Sequence, residues 1–245
     1  MKTTLKFLSL VALALAVGSA VRAAESPRIL HDLAHGQTSL ARSMKDIATK
    51  LGVTIADSKV PITAEVLAGV RLLYLRAPSG EFTQPERESI IAYVRAGGSL
   101  LLVLDEESRQ SLAATRVNDL IAPFGLKLSP DLPYLHNCGG IAKAGAIHAA
   151  DREIPYSGGR AVEGGTPFAF VLDQDGKPAA PFAASVTQEN GARIVVMGEG
   201  MASLFLGKPE GVRLTGVHRD FSRTTYWGKD SRVFMEELIG WLIKR

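Results

Sequence analysis

The chain has 245 residues, a formal net charge of +3 and a hydrophobic content of 46%, which is ample for a globular core. Its one cysteine, Cys138, excludes an intramolecular disulfide. Without Lys2, Lys6 and Arg22, which precede residue 24, the 28 basic residues fall to 25 and equal the 25 acidic residues. A net charge near zero gives no electrostatic footprint for nucleic acid or for an anionic membrane surface, so we expect neither as a partner.

Residues 1–23 have the pattern of a secretory signal peptide. Lys2 and Lys6 precede an apolar run from Phe7 to Val21, and Ala23 provides a small residue at the exit. The run of about 15 residues is shorter than the roughly 20 that span a bilayer, and an uncleaved anchor is the alternative. We therefore expect a periplasmic or secreted protein, in which residues 24–245 form a single α/β domain that leaves the membrane once the signal is removed.

The first half of that domain alternates strand and helix patterns. Residues 29–34 predict a short apolar strand, and Thr38 is suited to cap a helix that carries apolar residues at 40, 44, 47 and 51 and ends at Gly52. Residues 53–55 predict a second strand and residues 62–70 a short helix. The continuous apolar run RLLYLR, residues 71–76, predicts a strand that is covered on both faces.

The next helix has the clearest boundaries. Thr83 and Glu86 form a capping box, Pro85 suits the first turn, and Gly97 with Gly98 ends the helix. The run SLLLVL then predicts another buried strand, followed by a helix over residues 117–124. This βαβα order predicts a parallel sheet wrapped by helices on both faces.

The second half has a different pattern. Residues 130–166 show no periodicity, whereas residues 168–172, 182–187 and 193–198 predict strands separated by the turn pairs Asp175-Gly176 and Asn190-Gly191. A long irregular stretch, 199–229, precedes a final helix with apolar residues from 233 to 242. The predicted fold is a three-layer α/β sandwich with a mainly parallel, flavodoxin-like sheet and added antiparallel strands in the C-terminal half.

Three stretches carry a resemblance to a known group of proteins. They are FTQPERESIIAYVRAGGSLLLVLDEES (82–108), ILHDLAHGQ (29–37), and ARIVVMGEG (192–200) followed by FMEELIGWL (234–242). They resemble the class I glutamine amidotransferase-like superfamily, and more closely its divergent branch in gliding-motility transporter accessory proteins and an intraflagellar transport subunit. In that branch such domains are parts of larger assemblies, so the resemblance implies an interaction role.

The same resemblance implies that the amidotransferase chemistry is missing. In the catalytic members, a nucleophilic cysteine follows the strand that comes after this helix. Here Asp105, Glu106 and Glu107 occupy that position, and a carboxylate cannot take the place of a thiolate as acyl acceptor without a different mechanism. We therefore expect no catalytic residues of the inherited kind.

Polar side chains follow several of the predicted parallel strands at the point where each strand ends. Open α/β sheets bind ligands beyond the carboxyl ends of their strands, so these side chains predict a binding crevice. The candidate binding residues are Asp32, His35, Gly36, Gln37, Arg76, Ser79, Glu106, Glu107 and Glu199.

His35 facing Glu106 or Glu107 would make a charged pair, a proton-transfer pair or half of a metal site. The structural alternative is that Asp32 and His35 stabilise a turn before the helix, and that the acids favour a helix N-terminus.

His136, Cys138 and His148 allow two further hypotheses. A thiolate and an imidazole on one strand face would suit zinc, but no close second pair of ligands accompanies them, so no metal is predicted. Cys138 could instead serve a hydrolase as nucleophile, although its surroundings lack a strand-to-helix turn. No glycine pattern matches a phosphate loop, and no cofactor is predicted. The preferred hypothesis is an exported, non-catalytic module that binds a small ligand or a protein partner; the alternative is an amidase-type hydrolase using Cys138 or a His/Glu cluster.

Overall fold

The computed structural model describes residues 28–36, 41–132, 139–156, 158–173, 175–200, 212–215, 224–227 and 229–244, with the backbone alone for 41–43, 212–215 and 224–227. The predicted signal segment, Gln37, Thr38, His136 and Cys138 lie outside these ranges.

Within the described ranges, helices and strands alternate through the first half and strands dominate the second. The helices are α1 (Ala41–Leu51), α2 (Gln84–Arg95), α3 (Leu112–Thr115), α4 (Val117–Ile121), which continues into a 3₁₀ turn (Ala122–Phe124), and α5 (Ser231–Ile243). The strands are β1 (Arg28–Asp32), β2 (Thr54–Ser58), β3 (Val70–Arg76), β4 (Ser99–Val103), β5 (Lys127–Asp131), β6 (Gly140–Ala142), β7 (Arg152–Ile154), β8 (Arg160–Glu163), β9 (Thr166–Leu172), β10 (Pro178–Thr187), β11 (Arg193–Met197), β12 (Val212–Thr215) and β13 (Thr224–Trp227).

Nine strands form one sheet in the order β2-β1-β3-β4-β11-β10-β9-β6-β7. The pairs from β2 to β11 are parallel, and those from β11 to β7 are antiparallel. When β11 is counted as the fifth parallel strand, the parallel half has the strand order 2-1-3-4-5, which is the order of flavodoxin-like folds. The predicted combination of a mainly parallel sheet with added antiparallel strands is therefore confirmed.

Both faces of the sheet are covered, because the side chains of each strand alternate between two apolar clusters. On one face, Leu72 and Leu101 pack with residues of α1 and α5. On the other face, Leu73 and Leu102 pack with residues of α2 and α4. This arrangement explains why β3 and β4 read as continuous apolar runs, and it confirms the three layers.

The local signals at α2 are borne out. The Thr83 and Glu86 side chains form the capping box, Pro85 lies in the first turn, and Gly97 follows the helix with φ +99°, a conformation that glycine adopts without strain. Among the described residues, no helix has the length and apolar character needed to cross a membrane.

Two expectations of local structure are corrected. In place of the helix predicted over residues 62–70, residues 64–69 form a series of turns, in which the N–H of Leu67 donates to Thr63 O before Gly69 takes φ +71° and β3 begins at Val70. So short a segment gains too few hydrogen bonds to offset the cost of helix nucleation. Residues 130–166, which show no periodicity, contain β6, β7, β8 and the end of β5, strands of three to five residues that are too short to show an alternating pattern.

Candidate functional site

The loops that follow β1 and β3 contact each other directly. These neighbouring parallel strands lead to helices on opposite faces of the sheet, which is the topological switch point where such folds bind ligands. The backbone N–H groups of Ser79 and Gly80 both donate to the carbonyl oxygen of His35, at 2.9 and 3.2 Å. Gly36 has φ +90°, and a Cβ atom there would overlap the Ser79 hydroxyl. The two loops therefore pack against each other over the switch point, and Gly36 and Ser79 are exposed on the outer side of this contact.

Beneath these loops, the His35 imidazole lies between two carboxylates. Its Nδ1 is 2.8 Å from Asp32 Oδ2 and its Nε2 is 3.3 Å from Glu86 Oε1. The ring also stacks on Phe82 with centroids 4.1 Å apart. His35 and Asp32 are buried, so this is a contact of the interior and not of the surface.

Glu86 connects three segments of the chain. One carboxylate oxygen accepts from the backbone N–H of Ile62 at 3.1 Å, and the other accepts from the N–H and the hydroxyl of Thr83 at 3.0 and 2.7 Å. With its contact to His35, this residue joins the β1 loop, the turns before β3 and the start of α2. The sequence identified Glu86 as a helix cap, but nothing in the sequence pattern indicated its second role.

The charges of this cluster support each other. Burial disfavours the His35 imidazolium, but hydrogen bonds and attraction from Asp32 and Glu86 outweigh that cost, and the pKa of His35 lies above its ordinary value. Burial likewise opposes the ionised Glu86, but hydrogen bonds from Thr83 and Ile62 and the charge of His35 bring the pKa of Glu86 below its usual value. The cluster is a charged network within the protein.

The acidic loop after β4 is held by arginines instead of by His35. Glu106 Oε1 is 2.9 Å from Nε of Arg109, and Glu107 Oε2 is 2.8 Å from Nη2 of Arg160. The hypothesis that His35 faces Glu106 or Glu107 is therefore wrong, because Glu86 on α2 takes that position. Glu107 is half-exposed, and hydrogen bonds from Ser111 and Arg160 lower its pKa to about 2.

Arg160 is the fully buried organiser of this loop. Its guanidinium donates to the carbonyl oxygens of Asp105 and Gln110, each at 2.7 Å, in addition to Glu107. The backbone of Arg160 packs closely against the backbone of Gly198. This contact requires glycine, because a Cβ atom at position 198 would overlap the Arg160 carbonyl oxygen. The sequence offered no signal for Arg160, which stands in the segment without periodicity.

Asp105 and Glu199 lie at the ends of the adjacent strands β4 and β11, and both are buried. Glu199 accepts a hydrogen bond from the backbone N–H of Gly158 at 3.3 Å. Burial raises the pKa of Asp105 above its usual value. Burial, together with the negative charges of Glu199 and Asp105, raises the pKa of Tyr156, so these three groups share one electrostatic environment.

Arg76 lies near a second buried histidine. His31 Nδ1 is 3.1 Å from Asp57 Oδ1 on the neighbouring strand β2. Burial is the largest influence on the pKa of His31 and lowers it, and the charge of Arg76 acts in the same direction. The predicted site residues therefore divide into one cluster around Asp32 and His35, the arginine-bound acidic loop, and the buried residues Arg76 and Glu199.

Of the residues considered for zinc or for a cysteine hydrolase, His148 lies in the described part of the chain. His148 binds Glu237 of α5, with Nδ1 3.0 Å from the carboxylate, and stacks on Phe234. His136 and Cys138 lie outside the described residues. Across the described ranges, no group of three or more His, Cys, Asp or Glu side chains could hold a metal ion.

Residues 28–133 match the family model described as the IFT52 GIFT domain. Over 160 residues, or 62% of this chain, the sequence is 29% identical to the Intraflagellar transport protein 52 homolog of Mus musculus and 28% identical to that of Homo sapiens. The matched region spans about a third of each relative, 35% of the mouse protein and 34% of the human protein. The sequence-based resemblance to the intraflagellar transport domain is confirmed.

The solved structure described as mmIFT52 N-terminal domain has a similar fold. It superposes with a TM-score of 0.56 at 20% identity, covering 71% of this chain and 86% of its own. The structure of PurLQS from Thermotoga maritima gives a TM-score of 0.45 at 11% identity over 89% of this chain and 99% of its own, a likeness too weak to support an argument about chemistry.

These comparisons correct one prediction. The relatives are intraflagellar transport proteins and not periplasmic or secreted proteins, so the predicted periplasmic or secreted location is wrong. That prediction depended only on the residue types of the segment 1–23, whose charged and apolar pattern carries no information about the domain that follows. The assignment of that segment as a signal peptide stays a prediction.

Proposed function

We propose that this chain is a non-catalytic protein-interaction module that supplies one domain to a larger transport assembly. The match of residues 28–133 to the IFT52 GIFT domain carries the proposal, because it covers four of the five parallel strands, β1 to β4, and the loops that follow them. The 29% identity to the mouse relative supports the same function.

The proposed contact surface is the carboxyl edge of the parallel strands. Gly36, Ser79 and Glu107 are exposed there, while the groups below them are committed to one another: His35 to Asp32 and Glu86, and Arg160 to the acidic loop. A surface whose loops are held by buried ionic networks loses little conformational freedom on binding, which favours recognition of a partner. A small ligand in the same crevice is the competing outcome.

Photo-crosslinking tests this surface. A benzophenone amino acid would replace Ser79 or Ser108 at the carboxyl edge and, as the matched control, the exposed Glu65 in the turns before β3, at the amino end of the parallel strands. We expect a discrete protein adduct, identified by mass spectrometry, from the two edge positions and none from the control. Equal labelling at all three positions, or adducts only from position 65, would contradict the proposal.

A glutaminase assay separates this function from the hydrolase alternative. The purified chain and its Cys138→Ser variant would be incubated with glutamine, and the ammonia released would be measured. We expect no release above the buffer rate from either protein. Ammonia formed by the chain and lost in the variant would establish the hydrolase instead.

A further inference from the structure

The outward face of α2 carries a depression beside the 3₁₀ turn that follows α4. The depression has a volume of about 580 Å³. Its lining residues are Glu88, Ile91, Ala92, Arg95, Ala96 and Pro123. Ile90 and Val94 of the same helix are fully buried and pack towards the sheet, so the depression lies on the side of α2 that faces away from the core.

Four of these residues form a stripe along the helix, the outer stripe, which consists of Glu88, Ile91, Ala92 and Arg95. Residues separated by three, four or seven positions lie on one side of a helix. Glu88, Ala92 and Arg95 are exposed, and Ile91 is half-buried. The small side chains of Ala92 and Ala96 allow a second helix to come close, because the separation of packed helices, about 8–10 Å, depends on the side chains at the contact.

The two ends of the outer stripe carry opposite charges. Glu88 and Arg95 are seven residues apart, which separates them by about 10 Å along the helix axis. Within the residues that the structure describes, neither side chain takes part in an ion pair. The Glu88 carboxylate accepts a hydrogen bond from the neutral Gln84 amide at 2.9 Å, which leaves its negative charge in place.

This arrangement of charges is complementary to itself. The midpoint between positions 88 and 95 falls between Ile91 and Ala92. A two-fold axis through that point would bring two α2 helices together antiparallel, with Glu88 of each copy opposite Arg95 of the other. It would also place Ile91 of each copy against Ala92 of the other, so that two ion pairs flank an apolar centre.

We propose that a second copy of this chain docks on the outer stripe, with the two α2 helices antiparallel. A two-fold interface uses the same surface on both copies, so that surface must be complementary to itself, as the outer stripe is. Because α2 has 12 residues, a contact of one such helix per copy lies at the small end of the range of protein interfaces, and we expect a weak, reversible dimer. The inference goes beyond the proposed function, because the outer stripe lies on a helix face and not at the carboxyl edge of the sheet.

Sedimentation equilibrium of the full chain tests the dimer. The chain would be centrifuged at concentrations from about 5 µM to about 500 µM, because a weak dimer forms by mass action as the concentration rises. We expect the average mass to increase from that of the monomer towards twice that value. We also expect the dimer to weaken when sodium chloride is raised from about 50 mM to about 500 mM, because the flanking contacts are between charges.

Reversing the charges identifies the interface. Glu88→Arg places two positive charges together at each end of the contact, and Arg95→Glu places two negative charges there, so each variant should weaken the dimer by about tenfold or more. An equimolar mixture of the two variants should form a heterodimer, and the double variant should regain the homodimer, because both restore opposite charges at each end. Neither recovery would be seen if the single variants lost the dimer only by failing to fold.

The matched control is Lys45→Glu, a charge reversal at an exposed position of α1 on the opposite face of the sheet. It should leave the dissociation constant within about twofold. A chain that stays monomeric at about 500 µM overturns the inference, as does a dimer that survives both single reversals or a mixture of the two variants that does not associate.

A benzophenone amino acid at position 92 distinguishes a different occupant. An adduct with another protein, formed while the chain itself is monomeric, would overturn the inference. A monomeric chain that still crosslinks to a partner at the carboxyl edge would refute this inference and leave the proposed function intact.

Discussion

Replacing Arg160 with methionine tests whether one buried guanidinium holds the acidic loop together. Loss of its donors leaves the buried carbonyl oxygen of Asp105 unsatisfied, which costs about 1–3 kcal/mol. It also leaves the partly buried carbonyl oxygen of Gln110 unsatisfied, which costs about 1 kcal/mol. Glu107 is 49% exposed, so losing that ion pair adds at most about 1 kcal/mol. We expect a total loss of about 3 kcal/mol in the free energy of unfolding, within a range of about 2–5.

Urea unfolding followed by circular dichroism measures this change, and for a chain of this size the melting temperature should fall by about 6–12 °C. Arg160→Lys should recover part of the loss, because one ammonium group cannot reach all three acceptors. The matched control is Arg109→Met in the same loop: Arg109 is 54% exposed and should cost less than about 1 kcal/mol. A loss below about 1 kcal/mol for Arg160→Met would refute the reasoning.

Three further predictions concern the buried acid and histidine groups. Glu86→Gln should lower the free energy of unfolding by about 1–3 kcal/mol, because the amide keeps only one acceptor oxygen for Ile62 and Thr83; an unchanged urea midpoint would contradict this. The pKa of His35 is raised, so its contribution to stability is fully present below the unfolded value of about 6.5 and is lost as the pH rises through the folded pKa. Subtracting the pH profile of His35→Gln from that of the unsubstituted chain should isolate this decline, and a flat difference would count against it. The pKa of His148 is lowered chiefly by burial, so the free energy of unfolding should decrease as the pH falls below about 6.5 towards the folded pKa. His148→Gln should remove that decrease. The same pH dependence of stability in His148→Gln would contradict this prediction.

Local features of the sequence predicted most of the fold in the first half. The capping box at Thr83 and Glu86 and the glycine pair after residue 96 bounded α2, and continuous apolar runs indicated β3 and β4 as buried parallel strands. The signals at α2 are reliable because each depends on contacts within a few residues. The apolar runs are reliable because a strand that is covered on both faces needs apolar side chains at successive positions. The turns at 64–69 and the short strands after β5 escaped prediction because segments of this length carry too little periodicity to separate helix, strand and turn.

The sequence alone determined which residue types stand at the ends of the parallel strands: Asp32 and His35 after β1, the acids after β4, and Glu199 after β11. Their partners were decided by the tertiary structure. Glu86 meets His35 and Arg160 meets Glu107 across more than 50 residues of chain, and nothing in the local pattern indicates either pairing. The physical reason is the strand order, because the order of strands in the sheet determines which loops become neighbours and therefore which charges are buried together.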